Sequence, residues 1–143
     1  MQGLLMEIKT QNSHHLVTTA DLNHHGTLYA GRTAEWFVEA GFIAAAKLTN
    51  PANIVCLKIH GMLFTKPALK GQVLCFESKI VHAGRTSLVA YIQIEHDDEV
   101  ILRGFITFIH VNEQGRPDPH GIVINASTAE DIALQQEAAA LRG

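Results

Sequence analysis

Residues 21–51 read DLNHHGTLYAGRTAEWFVEAGFIAAAKLTNP, and this stretch decides the fold. Asp21 to Gly26 is a cluster of turn-forming residues. From Leu28 to Leu48 the chain is rich in Ala, Phe, Ile and Leu and has no proline, and Asn50-Pro51 then stops the run. The pattern predicts a helix over Leu28–Leu48. It is apolar on nearly every side, so most of its surface is expected to be buried. At about 100° per residue, Gly31, Glu35 and Glu39 fall on one stripe. An unpaired buried carboxylate is costly, so each acid needs a reason to be there. One reason is structural: an arginine partner, or a place at the solvent-facing rim of the helix. The other is functional: a desolvated glutamate works as a general base or nucleophile.

Outward from this helix, Leu4–Lys9 and His15–Thr19 are short β-prone runs. Four longer strand-like runs follow at Ile54–Phe64, Val73–Val81, Ser87–Glu95 and Val100–His110. Tight turns at Lys70-Gly71, His82-Ala83-Gly84 and His96-Asp97-Asp98 join the strands, which implies mostly antiparallel pairing. Asn112–Pro119 reads as a loop, and Thr128–Leu141 as a second, Glu/Ala-rich amphipathic helix. The class expected is α+β: one long central helix wrapped by a curved antiparallel sheet. Residues 1–143 form a single domain in this reading, with 128–143 as its C-terminal helix.

Composition narrows the function classes. Apolar residues make up 47% of the chain, which excludes a disordered polymer. The net charge is −3 and the basic residues are scattered, which argues against nucleic acid as a partner. Cys56 and Cys75 sit in strand-like runs outside any CxxC or Cys/His cluster, so buried reduced thiols and no metal site are expected. Met1–Thr10 lacks the apolar core and cleavage site of a signal peptide, and Glu35, Glu39 and Lys47 interrupt the longest apolar stretch. A cytoplasmic location without a membrane span is therefore expected. There are nine histidines, some in pairs (His14-His15, His24-His25), and most read as surface residues. Gly26 and Gly31 match neither a phosphate-binding loop nor a dinucleotide fingerprint, and Thr86 and Ser87 sit in no nucleophile elbow.

Several segments, in order, resemble the hot-dog-fold acyl-CoA thioesterases. DLNHHGTLYAGRTAEWFVEAGFIAA is similar to that family's D-x-N-x-x-G loop and acid-bearing helix, with Asp21, Asn23, Gly26 and Gly31 fitting. KIHGMLFTKP, residues 58–67, resembles its strand ending F-x-x-P, and Lys70-Gly71 its next turn. AGRTSL, residues 83–88, resembles its G-x-S/T-S hairpin, and FIHVNEQGRP, residues 108–117, its closing segment. The likeness covers about residues 15–119.

The resemblance implies hydrolysis of an acyl-CoA thioester, with no cofactor beyond the coenzyme A carried by the substrate. It also implies a homo-oligomer (a dimer, a dimer of dimers or a hexamer) with its sites at a subunit interface. Backbone N–H groups at the helix N-terminus would meet the oxyanion, and a carboxylate would act as base or nucleophile. Asn23 would orient water or the carbonyl. Gly26 and Gly31 would allow the substrate close to the backbone, beside His25. Arg85, with Thr86 and Ser87, would hold phosphates of coenzyme A, since a guanidinium donates two parallel hydrogen bonds.

The pattern departs where it is most informative. The family's short-chain branch usually carries its catalytic aspartate at the position of Val38, and valine cannot do that work. Glu35 lies three residues earlier and Glu39 one later. Fluoroacetyl-CoA-type hot-dog thioesterases offer another alignment, in which Thr27, Glu35-Trp36 and His60 match a Thr/Glu/His set. Glu35 is favoured over Glu39. Two rivals stand beside hydrolysis: a hot-dog dehydratase or hydratase, and a non-catalytic acyl-binding module.

Overall fold

The computed structural model describes residues 3–141. Seven strands and two helices follow one another: β1 (Leu4–Glu7), β2 (Gln11–Leu16), α1 (Ala30–Ala46), β3 (Ile54–Ile59), β4 (Val73–Ala83), β5 (Ser87–His96), β6 (Glu99–His110), β7 (Ile122–Asn125) and α2 (Ala129–Ala139). Five strands form one antiparallel sheet in the order β2-β4-β5-β6-β3. The parallel pair β1-β7 stands apart as a two-stranded sheet. Helix α1 touches all five strands of the larger sheet. This is the hot-dog arrangement, a sheet wrapped around a central helix.

The core forms where two periodicities meet. On the inner face of the sheet Leu74, Phe76 and Ile80 of β4 lie beside Leu88, Ala90, Ile92 and Ile94 of β5 and Leu102, Ile106 and Phe108 of β6. They alternate with outward residues as a strand's period of two requires. The helix answers with Phe37, Ala40, Gly41, Ala44 and Ala45. Small residues at four of those positions let the axis approach the sheet closely. A β-carbon built on Gly41 would lie 3.1 Å from Ile92 Cδ1 and 3.4 Å from both Ile106 Cδ1 and Phe108 Cε2.

The outer face of the sheet has its own cover. Val81, Val89, Tyr91 and Phe105 pack against Leu134 and Ala138 of α2. Polar clamps pin the helix down: Lys79 Nζ lies 2.7 Å from Asp131, and Arg103 Nη2 donates to Glu137 at 2.9 Å. The β5–β6 hairpin turns on Asp97 and Asp98, both at positive φ (49° and 62°). That is the backbone a two-residue turn needs to match strand twist, and aspartate tolerates it.

Several expected boundaries shift. Helix α1 spans Ala30–Ala46, because Leu28 N–H donates instead to Ala68 O at 2.9 Å and Tyr29 N–H to Asp21 O at 2.8 Å. The first two strands are Leu4–Glu7 and Gln11–Leu16 rather than Leu4–Lys9 and His15–Thr19. Strand β3 stops at Ile59, not Phe64, and Gly61 follows at φ +112°. Strand β7 has no counterpart in the sequence reading; at four residues it is too short to announce itself. Helix α2 is capped by Thr128, whose side chain accepts from Asp131 N–H, and the rest of the 128–143 expectation beyond Leu141 lies outside the described residues. Cys56 is exposed rather than buried because β3 is an edge strand, and Cys75 is only partly covered. Among the described residues no helix is long and apolar enough to cross a membrane.

Replacing Gly41 by valine forces a branched side chain against Ile92 and Phe108. Overpacking of this kind costs about 1–3 kcal/mol. The urea midpoint of Gly41→Val is expected to fall accordingly with an unchanged slope, and an unaltered midpoint would refute the close approach.

Candidate active site

The loop before α1 is shaped by Asn23. Its Oδ1 accepts from the backbone N–H of His25 at 2.9 Å and of Thr27 at 3.2 Å. Its Nδ2 donates to Thr27 Oγ1 at 3.1 Å. Gly26 takes φ +80° in this turn, where any side chain would be strained. The Asn23 amide is thus committed to holding Thr27 and the loop. His24 and His25 are exposed, their rings 3.9 Å apart.

Beneath the loop lies a chain of charges. Asp21 is a buried carboxylate whose Oδ2 accepts from Thr18 N–H at 2.8 Å and Thr18 Oγ1 at 2.9 Å. Its Oδ1 is 3.2 Å from Arg32 Nε, and Arg32 Nη1 donates to Glu35 Oε2 at 3.1 Å. The Thr18 backbone hydrogen bond holds the Asp21 carboxyl below the usual carboxylate range; the Thr18 hydroxyl and the Arg32 charge add to this against the opposing effect of burial. Arg32 and Glu35 are three apart on one helix face, a spacing visible in the sequence; the link back to Asp21 is not.

Glu35 and Glu39 therefore do not sit in the core as a helix buried on most sides would require. Glu39 is exposed and the Glu35 side chain is 65% exposed. The apolar residues between them turn inward instead: Phe37 is fully buried, and Val38 packs partly covered against the core.

A cavity of about 320 Å³ opens beside Asn23 and Thr27. Buried Ala68, Ile94 and Leu102 lie deepest in it, and Phe64 and Lys66 stand at its rim. Helix α1 begins at this cavity with Ala30, and Tyr29 in the capping position supplies no side-chain cap. The first N–H groups of a helix point outward and carry partial positive charge. Gly31 lies in the first turn of the helix. A β-carbon there would fall 2.4 Å from Tyr29 Cε2, so its missing side chain leaves room for the tyrosine ring.

Other candidates lie elsewhere in the protomer. His60 is on the α2 side of the sheet, near Arg103, Glu137 and Leu141, with Nε2 2.7 Å from Thr107 Oγ1. Burial and the Lys58 charge hold its pKa below the ordinary value. Within one protomer the structure does not assemble Thr27, Glu35 and His60, because the chain leaves β3 at Ile59 and turns at Gly61. Arg85, Thr86 and Ser87 form the tip of the β4–β5 hairpin. Two residues that sequence reasoning passed over fix that tip: the backbone N–H of His110 donates to Thr86 O at 2.7 Å, and the ring Nε2 of His120 is 2.9 Å from Ser87 O. Ile94, at the cavity, is seven residues along β5 from Ser87, roughly 23 Å at strand rise. The candidates thus fall at two ends of the sheet. Both thiols are disfavoured as nucleophiles, since partial desolvation by its neighbours raises the exposed Cys56, and desolvation with Glu77 and Glu95 raises Cys75.

Asp21 gives a pH test. Its folded-state pKa is depressed, so its stabilisation is complete above the usual carboxylate range and disappears as pH falls through the lowered folded value. Asp21→Asn is expected to lower the thermal midpoint at pH 7 and to flatten its decline on acidification below the usual carboxylate range. Parallel wild-type and variant curves would contradict the assignment.

With this geometry in place, comparison with known proteins is informative. Residues 25–102 match the model of the thioesterase superfamily. The chain is 26% identical over 124 residues to YkhA of Bacillus subtilis, an uncharacterised acyl-CoA thioester hydrolase, covering 82% of this chain and 71% of that protein. It is 28% identical over 79 residues to YciA of Escherichia coli, an acyl-CoA thioester hydrolase, covering 55% of this chain and 59% of the relative. A hexameric acyl-CoA thioesterase superposes with a TM-score of 0.84 at 27% identity, over 92% of this chain and 86% of that one. The acyl-CoA hydrolase of Staphylococcus aureus, solved with butyryl coenzyme A, shares the fold at TM-score 0.84 and 21% identity, over 95% and 87% of the two chains.

Proposed function

The chain belongs to the thioesterase superfamily, and on that premise we propose that it hydrolyses an acyl-CoA thioester to the free acid and coenzyme A. The observation carrying this reading is the cavity that opens at the uncapped start of α1, with Asn23 and Thr27 on its wall. A thioester placed with its acyl group in the cavity has its carbonyl near the N-terminal N–H groups of the helix. Glu35 accepts a proton from a water molecule as that water attacks the carbonyl carbon. The tetrahedral oxyanion is met by helix N–H groups and the positive end of the helix dipole. Collapse breaks the C–S bond, and coenzyme A leaves with the proton as the thiol. No further cofactor enters this scheme, and a cytoplasmic site of action suits coenzyme A chemistry.

Glu35 is the preferred base because Arg32 already ties it to the Asp21 loop, whereas the exposed Glu39 lies a turn further on. Val38 packs with the core and has no proton to move. Thr27 lies at the cavity wall, positioned by Asn23 to touch the thioester or the water. His25 and Gly26 belong to the same Asn23–Thr27 loop.

Coenzyme A contacts require a second protomer. Arg85, Thr86 and Ser87, the proposed phosphate contacts, lie at the far end of the sheet from the cavity. The free edge of β3 supplies the remedy. Val55, Leu57 and Ile59 on it are 47%, 58% and 40% exposed, an unprotected apolar edge of the kind folded proteins cover. Two β3 strands paired antiparallel about a two-fold axis bring one protomer's Arg85 end toward its partner's α1 start. That is the dimer proposed, and higher assembly into a dimer of dimers or a hexamer builds on it.

Two measurements test the reading. Glu35→Gln should lower kcat for thiol release by about a hundredfold or more, the usual contribution of a positioned base, with an unchanged unfolding curve. Full turnover in that variant would pass the role to Glu39. Leu57→Asp should shift the light-scattering mass to that of the monomer and abolish thiol release, and a fully active monomer would sink the shared-site proposal. Thiol release from no acyl-CoA at all would leave the non-catalytic binding module in possession.

A further inference from the structure

The cavity beside Thr27 has a definite chemical character, and its depth is closed. Ala68, Ile94 and Leu102 are at most 5% exposed, so its floor is the core itself. The polar side chains on its wall are already engaged with one another or with the backbone. Thr33 Oγ1 donates to Tyr29 O at 3.2 Å and Thr65 Oγ1 to Ile101 O at 2.7 Å. Asn23 and Thr27 bond each other. Lys66, the charged group on the wall, is paired with Glu99.

A polar atom at the end of an acyl group would therefore lose water without gaining a partner, which is costly in any apolar site. An alkyl chain loses nothing and gains burial on every added methylene. The volume sets the limit. The cavity holds about 320 Å³, so burial stops growing once a chain fills it.

Resting on the acyl-CoA reading above, we infer that this site takes an apolar acyl chain of medium length, and that Ala68 and Leu102 at the floor set the longest chain accepted. Met62 and Phe42 do not line the cavity, whereas Phe64 stands at its mouth. Chain length is therefore decided at the floor rather than by the aromatic residue of the helix.

The test uses the full chain in two assays. Thiol release is followed with acetyl-, butyryl-, hexanoyl-, octanoyl-, decanoyl- and palmitoyl-CoA, and with succinyl-CoA as the charged counterpart of butyryl-CoA. Binding is measured by calorimetry with the unreactive thioether analogues of the same alkyl lengths. The value of kcat/KM and the affinity should each rise about fourfold per methylene until the cavity is filled, peak at an intermediate length, and fall for palmitoyl. Succinyl-CoA should be at least tenfold poorer than butyryl-CoA. Ala68→Phe should move the optimum to shorter chains and Leu102→Ala to longer ones, so that a folding failure in one leaves the other to decide.

A profile flat in chain length, succinyl-CoA equal to butyryl-CoA, or an optimum unmoved in both variants would overturn the inference. Length-dependent affinity without thiol release would uphold the cavity while refuting the hydrolase. Thiol release with length-independent affinity would do the reverse.

Discussion

The contact between the small-residue face of α1 and the inner face of the sheet is the constraint on which everything else rests. Ala40, Gly41, Ala44 and Ala45 present almost no side chain, so Ile92, Ile106 and Phe108 reach the helix backbone. A helix held this closely uses up its buried face on packing. Its polar stripe is displaced outward, which is why Glu35 and Glu39 emerge on the open side. The same closeness fixes where α1 begins relative to β5 and β6, and the cavity forms at that beginning.

Two devices preserve the geometry at the start of the helix. Asn23 closes the loop through Thr27, and Gly26 supplies the one backbone conformation the turn requires. Asp21 anchors Arg32 beneath the loop, and Arg32 extends to Glu35. A buried carboxylate with hydrogen bonds to one oxygen and a guanidinium against the other is well compensated, so it costs little to bury and orders what it touches. The outer face makes the opposite use of charge. Lys79 with Asp131, and Arg103 with Glu137, hold a helix that buries little apolar surface of its own.

The protomer divides its chemistry between two ends. The cavity and the acids lie where α1 starts; Arg85 and the histidine-braced hairpin lie where β5 starts. Edge strand β3 runs between those ends with its apolar residues uncovered. In the proposed dimer, two-fold pairing completes this arrangement and gives the uncovered edge a role in the proposed reaction as well as in assembly.

The amino-acid sequence by itself determined the parts that depend on neighbours along the chain. The helix before Asn50-Pro51, strands β4 to β6, the Asp97-Asp98 turn and the Asn23–Thr27 loop all follow from periodicity and turn chemistry, and the ordered segments around them carried the family. Even the Arg32–Glu35 pair was legible as an i, i+3 spacing. Tertiary structure alone decided what depends on distance across the fold. It set which side of α1 is open, since sheet packing and not composition chooses the buried face. It placed His60 with Thr107 and beside the second helix, across the sheet from α1. It joined Asp21 to Arg32 across the loop and brought Ala68 beside Ile94 and Leu102, contacts that no local pattern encodes.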